Sequence, residues 1–500
     1  MRRRTVSMLV VPALALATAA AVAAPASAVE CTTREVHGWV YDGDAAGTPL
    51  AGMTVELVGA WEWAGLGVVA TGVSGPDGAF SLVAPCSDAT AVVRASDPTG
   101  FYGTVYGGGK SDPDDSGASV WLGNDVNVGF LGVRMTKPGR FVPVEPTRVI
   151  DTREDAEGPV GPGENAVFLL DELPDNTSAV VLNLTTTQGS APTSFVSWQP
   201  YRFAGEPSTS VINSTAGRDV ANLVTVPVSR FTESGKYELV LYNDAGWTHL
   251  VADIQGYYTS DPAGAGFEPV TPTRVLDTRA SAPVGTHGTR RLDLAGPGTQ
   301  APADAVAAAV TVTSTEATAA TSYVSAYPSD AVDGPSTSVL NAYRGDDVPN
   351  LAVVPLGADG SITLYNDQGS THLVVDVVGW YVASGGADFY PVVPRRADGS
   401  GLLGAGATTG FDGDDIPAVV RADATAMAVN LTTAGTAVPS YLTVHPTGGV
   451  RPFTSSANAR PGADVATGVL TGLGPGFSVY NDRGDLQALV DVYGWFAVND

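Results

Sequence analysis

The sequence predicts an all-β chain of four tandem β-sandwich or jelly-roll-like domains. The leading observation is a segment written three times: LYNDAGWTHLVADIQGYY at 241–258, LYNDQGSTHLVVDVVGWY at 364–381 and VYNDRGDLQALVDVYGWF at 479–496. Each copy is an apolar strand, an Asn-Asp-x-Gly turn and a second apolar strand that ends in Gly and two aromatics. Asn and Asp tolerate left-handed backbone and Gly reaches positive φ freely, so the middle of each copy is a hairpin turn. The copies lie about 120 residues apart, the length of a small domain and far beyond a solenoid repeat. Elsewhere the chain reads as short β-branched or aromatic runs bounded by turn residues, without helical periodicity. With 59 Gly, 35 Pro and 44% apolar residues, the composition supplies many turns and enough apolar material for several cores.

Taken in order, residues 1–28 have the layout of a secretory signal peptide. Arg2, Arg3 and Arg4 precede an apolar run that starts at Met8, and Ala26-Ser27-Ala28 forms a small-residue cleavage site. The mature chain is therefore expected outside the cell, free or associated with the cell wall. No later stretch reaches the ~18 uninterrupted apolar residues of a spanning helix, so membrane insertion is not expected. The 52 acidic and 26 basic residues give a net charge of −26, and removal of the signal takes away three arginines more. A field of that sign repels phosphate backbones and anionic headgroups, which excludes nucleic acid as an expected partner. Cys31 and Cys86 are the two cysteines, and in an oxidising compartment they are expected to form one disulfide.

Residues 29–136 form the first domain. HGWVYDGDAAGTPLAGMTVEL, TGVSGPDGAFSLVAP and ATAVVRASD are alternating strands separated by Asp-Gly and Gly-Pro turns, the pattern of a small sandwich. Gly38 to Tyr41, Pro49-Leu50-Ala51-Gly52 before Val55, Pro76-Asp77-Gly78 before Phe80 and YGTVYGGG at 102–109 give this domain its character. In these features it resembles the carboxypeptidase-regulatory-like (prealbumin-like) domains of secreted bacterial proteins, which implies a non-catalytic spacer or starch-binding-like role.

Three repeat units follow, at 141–259, 267–382 and 388–498, joined by Gly/Ala/Ser linkers at 260–266 and 383–387. Linkers of that length allow bending but not wide separation, so the four domains are expected to form a rod. Units one and two share PTRVIDTR (146–153) with PTRVLDTR (272–279), and STSVIN (208–213) with STSVLN (336–341). Gly-x-Asp-Val recurs at 217–220, 345–348 and 462–465. Unit three diverges: Val393-Pro394-Arg395-Arg396 replaces P-T-R, D-T-R is missing, and FTSSAN (453–458) replaces STSVLN. The landmarks resemble a repeat of secreted actinobacterial proteins, P-x-R-x-x-D-T-R, S-T-S-x-x-N and Y-N-x-x-G-x-x-H-x-x-V-D-V-x-G-Y-Y. Such modules accompany cell-wall-active domains, so the resemblance implies an accessory or surface-binding role. The strand order is left open.

Asp253, Asp376 and Asp491 each sit mid-strand among apolar residues. Such a carboxylate is either a general base or metal ligand, or the partner of an arginine in its own unit. An unpaired buried charge is so costly that the second reading is preferred. Two arginines compete for it in units one and two, Arg148 and Arg274 of P-T-R against Arg153 and Arg279 of D-T-R. Unit three keeps Asp491 and Arg396 but has no D-T-R, which favours the pairs Asp253–Arg148, Asp376–Arg274 and Asp491–Arg396. Strict alternation puts Leu250, Ala252 and Ile254 on one strand face and His249, Val251, Asp253 and Tyr257 on the other. His249 and His372 stand four residues before the aspartate, about 13 Å along a strand, which is too far to share a metal.

No Ser lies in G-x-S-x-G, and His37, His287 and His445 are scattered. No catalytic residue is assigned and no enzymatic activity is expected. Acidic loops at Asp42-Gly43-Asp44, at Asp112, Asp114 and Asp115, and at Asp412, Asp414 and Asp415 offer oxygen ligands for calcium. None follows the EF-hand spacing, so they read as solvated turns and no metal or cofactor is expected. Trp61, Trp63, Trp198 and Trp247 are candidates for stacking on sugar faces. Trp198 and Trp247 are replaced in the other units (Ala326 and Val444; Ser370 and Asp485), as residues on a variable surface would be. The expected function is a secreted, non-catalytic binding or adhesion protein whose partner is cell-wall polysaccharide or a surface protein. A self-associating structural surface protein and a hydrolase with an unrecognised site remain alternatives, and the oligomeric state is open.

Overall fold

The computed structural model describes residues 33–42, 48–59, 68–85, 90–98, 105–106, 119–121, 131–135, 137–171, 173–199, 206–230, 236–295, 301–332, 336–417, 420 and 422–499. The signal segment, Cys31, Cys86, Trp61, Trp63, Asp44 and the acidic residues 112, 114 and 115 lie outside the described residues. The expected disulfide and two of the tryptophan candidates fall there with them. Among the described residues the regular structure is strand, apart from single 3-10 turns at Thr278–Ala280 and Gly413–Asp415.

The chain divides into two compact units, an N-terminal domain and the three repeats together. In the N-terminal domain Thr33–Asp42 pairs with Ala79–Pro85 and Leu131–Met135, while Thr54–Gly59 pairs with Val68–Val73 and Thr90–Ser96 in a second sheet. Alternation works as the sequence predicts: Val36 and Val40 are buried with Val55, Leu57, Phe80 and Leu82, and Trp39 between them stays exposed.

Each repeat is a sandwich of two antiparallel sheets. With eight strands of a repeat counted in chain order, one sheet runs 1-8-3-6 and the other 2-7-4-5 in all three units. That is the strand order of a jelly roll. Short extra strands, Ser229–Arg230 and Gly401–Leu403, join units one and three. The opening strands are Arg140–Asp151, Gly266–Asp277 and Asp388–Arg396, and the closing strands are His249–Thr259, His372–Val382 and Leu486–Ala497. Opening and closing strands lie side by side, so the ends of each repeat are tied together.

A bulge corrects the simple alternation expected for the closing strand. Pairing shifts between Ile254 and Gly256, so Tyr257 joins Leu250, Ala252 and Ile254 against the sandwich core. Tyr258 turns instead to the opposite face, on which Asp253 lies buried. A bulge adds one residue to one strand and so reverses the facing of everything after it.

That opposite face overturns the expected rod. The 1-8-3-6 sheets of the three repeats pack together around one shared core, in which Phe141, Tyr258, Phe267, Tyr381, Phe389 and Phe496 are each at most 1% exposed. Their rings close a cycle: Phe141 to Tyr381 (4.2 Å between centroids), Tyr381 to Phe267 (5.1 Å), Phe267 to Phe496 (4.6 Å), Phe496 to Phe389 (5.0 Å), Phe389 to Tyr258 (4.4 Å) and Tyr258 to Phe141 (5.4 Å). The two tyrosine hydroxyls meet at 2.5 Å and satisfy each other inside this apolar cluster. Backbone pairs repeat the cycle. Phe141 bonds Ala265, Phe267 bonds Ala387, and Phe389 bonds Gly139, each in both directions at 2.7–2.9 Å. The short linkers are therefore part of the junctions.

The recurring Gly before the aromatic pair now has its reason. A Cβ on Gly256, Gly379 or Gly494 would stand 2.3 Å from the ring of Phe141, Phe267 or Phe389 respectively. Each opening-strand phenylalanine lies flat on the glycine of its own closing strand. Gly379→Ala is expected to lower stability by about 1–3 kcal/mol, as overpacking does, and to lower the melting of all three repeats in one transition by calorimetry. Tyr381→Phe leaves the Tyr258 hydroxyl buried without a partner and is expected to cost about 1–3 kcal/mol, while the Tyr258→Phe/Tyr381→Phe double variant recovers most of that loss.

Candidate functional site

The strand aspartates are held by arginines of the opening strand. Arg148 Nε donates to Asp253 Oδ1 at 2.9 Å, Arg274 Nε to Asp376 Oδ1 at 2.9 Å, and Arg396 Nε to Asp491 Oδ1 at 2.5 Å, each with a second bond from Nη2. Register causes this, because each arginine faces its aspartate across the opening and closing strands. Burial pushes all three carboxyls above their ordinary values, and the arginine bonds offset that only in part. The carboxylates are buried, while the arginine side chains remain partly exposed, Arg274 on the lining of the pocket described below.

Arg153 and Arg279 form bidentate pairs with Asp151 and Asp277 of their own D-T-R. The Arg279 bonds hold Asp277 down to about 2. The threonine of D-T-R faces the closing-strand histidine: Thr152 Oγ1 lies 3.0 Å from His249 Nδ1, and Thr278 Oγ1 lies 3.1 Å from His372 Nδ1. Unit three, which has no D-T-R, has Gln487 in place of that histidine. The two residues act as one latch and are absent together.

The aspartate face also meets the next repeat. Asn183 of unit one donates to Ser338 O of unit two at 2.6 Å and accepts from Asn350 Nδ2 at 2.9 Å. Asn430 of unit three likewise donates to Ser210 O of unit one at 2.7 Å and accepts from Asn222 Nδ2 at 2.9 Å. The serines belong to S-T-S, so that motif is a docking strip for the neighbouring unit. The junction of units two and three is different. Thr311 and Thr467 take the asparagine positions, and the Thr467 hydroxyl is buried without a hydrogen-bond partner.

A pocket of about 520 Å³ is lined by residues of all three repeats. The Gly-x-Asp-Val loops converge on it, and their variable positions are Arg218, Asp346 and Ala463. Asp346 Oδ2 accepts from Arg218 Nη2 at 2.5 Å and from Arg460 Nη1 at 3.1 Å, so one carboxylate serves two guanidiniums from different units. Arg218 also lies 3.7 Å above the ring of Tyr343, whose hydroxyl accepts from Asp219 N at 2.6 Å. Burial, followed by the neighbouring charge of Arg218, pushes Arg460 below its ordinary value. Asp219 and Asp347 are engaged by the hydroxyls of Thr187 and Thr315, each at 2.5 Å. Asn341 Nδ2, Thr454 Oγ1 and Asn458 Oδ1 are buried beside the pocket without hydrogen-bond partners. Phe453 stands on its lining, 93% exposed, where units one and two have Ser208 and Ser336.

The tryptophan candidates separate. Trp198 is 6% exposed and packs in the sandwich core of unit one, so it is not a surface contact as expected. Only its large volume belongs to that unit; Ala326 and Val444 fill the same core position elsewhere. Trp247 is 55% exposed at a hairpin turn, away from the pocket lining. Among the described residues no group of three or more His, Cys, Asp or Glu side chains could hold a metal ion, and Asp412 and Asp415 cap the 3-10 turn between them. Phe453 and the arginine pair were missed from sequence; the signals were the FTSSAN substitution and the unlike residues within Gly-x-Asp-Val.

No protein-family model matches the chain, and no curated protein matches it. Solved structures similar to it include the triple jelly-roll protein of an archaeal virus turret assembly (8% identity, 72% of this chain and 90% of that chain, TM-score 0.16). Another is the CBM22-1–CBM22-2 tandem of Xyn10C from Paenibacillus barcinonensis (11% identity, 48% and 98%, TM-score 0.15). Sulfolobus Turreted Icosahedral Virus gives 8% identity over 71% and 91%, with TM-score 0.15. Likenesses of this degree carry no argument about function.

The ion pairs are testable by removal of one member. Asp376→Ala is expected to destabilise by roughly 3–5 kcal/mol, because it leaves Arg274 without its buried partner. Since the three repeats share a core, the variant should melt in one lowered transition and not by early loss of unit two, as differential scanning calorimetry of the repeats would read.

Proposed function

We propose that this chain is a secreted, non-catalytic glycan-binding protein whose ligand sits in the pocket shared by the three repeats. The observation that carries the reading is the pocket's lining: planar amide and guanidinium groups, unpartnered polar atoms and one bare aromatic ring. Sugars offer hydroxyls in ring-plane directions and apolar C–H faces, which such a lining matches. The volume lies within the range of ligand sites, and Phe453 is exposed in a manner that folding does not require. The signal-like layout of residues 1–28 supports a location outside the cell, where polysaccharide is encountered. No helix among the described residues is long and apolar enough to cross a membrane.

Co-sedimentation of the mature chain with purified cell-wall polysaccharide tests the proposal. Binding should be eluted by soluble glycan and should weaken about threefold to tenfold in Phe453→Ala, with the melting temperature unchanged. Sedimentation of the protein by itself in the absence of polysaccharide would indicate self-association instead. Release of reducing ends would indicate a hydrolase. Binding unaffected by Phe453→Ala would remove the pocket from the function.

A further inference from the structure

Charge is balanced on the pocket lining, where five arginines stand with five aspartates, so the lining favours neither an anion nor a cation. Its unmet needs are of another kind. Asn341 Nδ2 is a donor without an acceptor, and Asn458 Oδ1 is an acceptor without a donor. Both residues are partly exposed on the lining, and the terminal torsion of a side-chain amide is soft, so each can turn its group toward a ligand. An amide is the neutral group that supplies one acceptor and one donor together.

The protein holds an internal example of such a match. Arg396 of unit three, bonded to Asp491, also donates from Nη2 to the backbone carbonyl of Ser208 at 3.3 Å, and Ser210 N donates to Asp491 Oδ2 at 3.4 Å. Peptide C=O and N–H groups of S-T-S in unit one therefore sit on that arginine–aspartate pair. In unit two the equivalent Arg274 is on the pocket lining, and its Nη1 lies 3.7 Å from Asp277 Oδ2, outside hydrogen-bond reach. The residue of unit three in the place of Ser208 is Phe453, exposed on the same lining. One lining thus offers a guanidinium with a donor to spare among the described residues, two amides in need of partners and a bare ring.

Resting on the glycan-binding reading above, we propose that the pocket is specific for 2-acetamido sugars, which carry an amide on a sugar ring. The acetamido carbonyl accepts from Arg274 Nη1 and the acetamido N–H donates to Asn458 Oδ1. Asn341 Nδ2 donates to a ring hydroxyl, and Phe453 stacks on the C–H face of the ring.

The test is calorimetric titration of the full mature chain with chitotetraose and with cellotetraose, which has the same linked rings with a hydroxyl in place of each acetamido group. The native protein should prefer chitotetraose by about tenfold or more, the worth of one well-made hydrogen bond, and salt should leave the preference unchanged because neither sugar is charged. Asn458→Ala removes the acceptor for the acetamido N–H and should cut the preference about fivefold or more while leaving cellotetraose affinity unchanged. A residue that is only structural would weaken both sugars alike. If Asn458→Ala fails to fold, the ratio of the two affinities in the native protein decides by itself. Equal binding of both sugars, lost in Phe453→Ala, would overturn the acetamido specificity and leave the glycan reading intact. So would failure to bind chitotetraose by a protein that co-sediments with polysaccharide. Acetyl-trialanine amide bound as tightly as chitotetraose would overturn the sugar assignment and make the occupant a peptide. Absence of binding to both sugars, together with failure to co-sediment with any polysaccharide, would overturn both readings.

Discussion

Everything in the repeat region depends on six aromatic rings packed in a closed cycle. Phe141, Phe267 and Phe389 each need a glycine beneath them, and Tyr258, Tyr381 and Phe496 each need the strand bulge that turns them inward. Once those requirements are met, the outer face of each jelly roll is no longer a surface. An aspartate on that face must be neutralised, hence the opening-strand arginine. A polar residue on it must find a partner in the next unit, hence the asparagines that reach S-T-S. The recurrent motifs are consequences of burial on both sides of one sheet.

The same constraint explains where divergence is tolerated. The latch formed by D-T-R and the closing histidine lies at the end of the strands, away from the aromatic cycle, and unit three dispenses with both parts. The junction between units two and three keeps its ring contacts but gives up the asparagine ladder. The pocket lies where loops of all three units converge, and Phe267, Phe389 and the other cycle rings are not on its lining.

Much of this was legible in the residues. The all-β sandwich or jelly-roll class followed from short runs and turn residues, with the strand order left open, and the arginine assignment followed from what unit three retains. The rod did not hold because a strand's second face was taken for solvent. The contrary signal was present: Ala179 to Leu184 and Ala307 to Val312 run without alternation, as strands covered on both faces do. The bulge was invisible because it depends on pairing register. The pocket was invisible because Arg218, Asp346 and Arg460 are separated by more than a hundred residues and meet only when three domains close on each other.

The unlike residues at the three Gly-x-Asp-Val loops have a further meaning. In a trimer of identical subunits, any side chain beside the symmetry axis faces two copies of itself, so a lone arginine there would meet two more arginines. Covalent fusion of the three copies lifts that rule. Arg218, Asp346 and Ala463 occupy matching places yet differ, giving a polar centre that an identical trimer could not build. Symmetry would offer three equivalent sites or one on the axis. This chain, by breaking it, gives the cleft described above unlike walls, and so a defined direction for whatever lies in it.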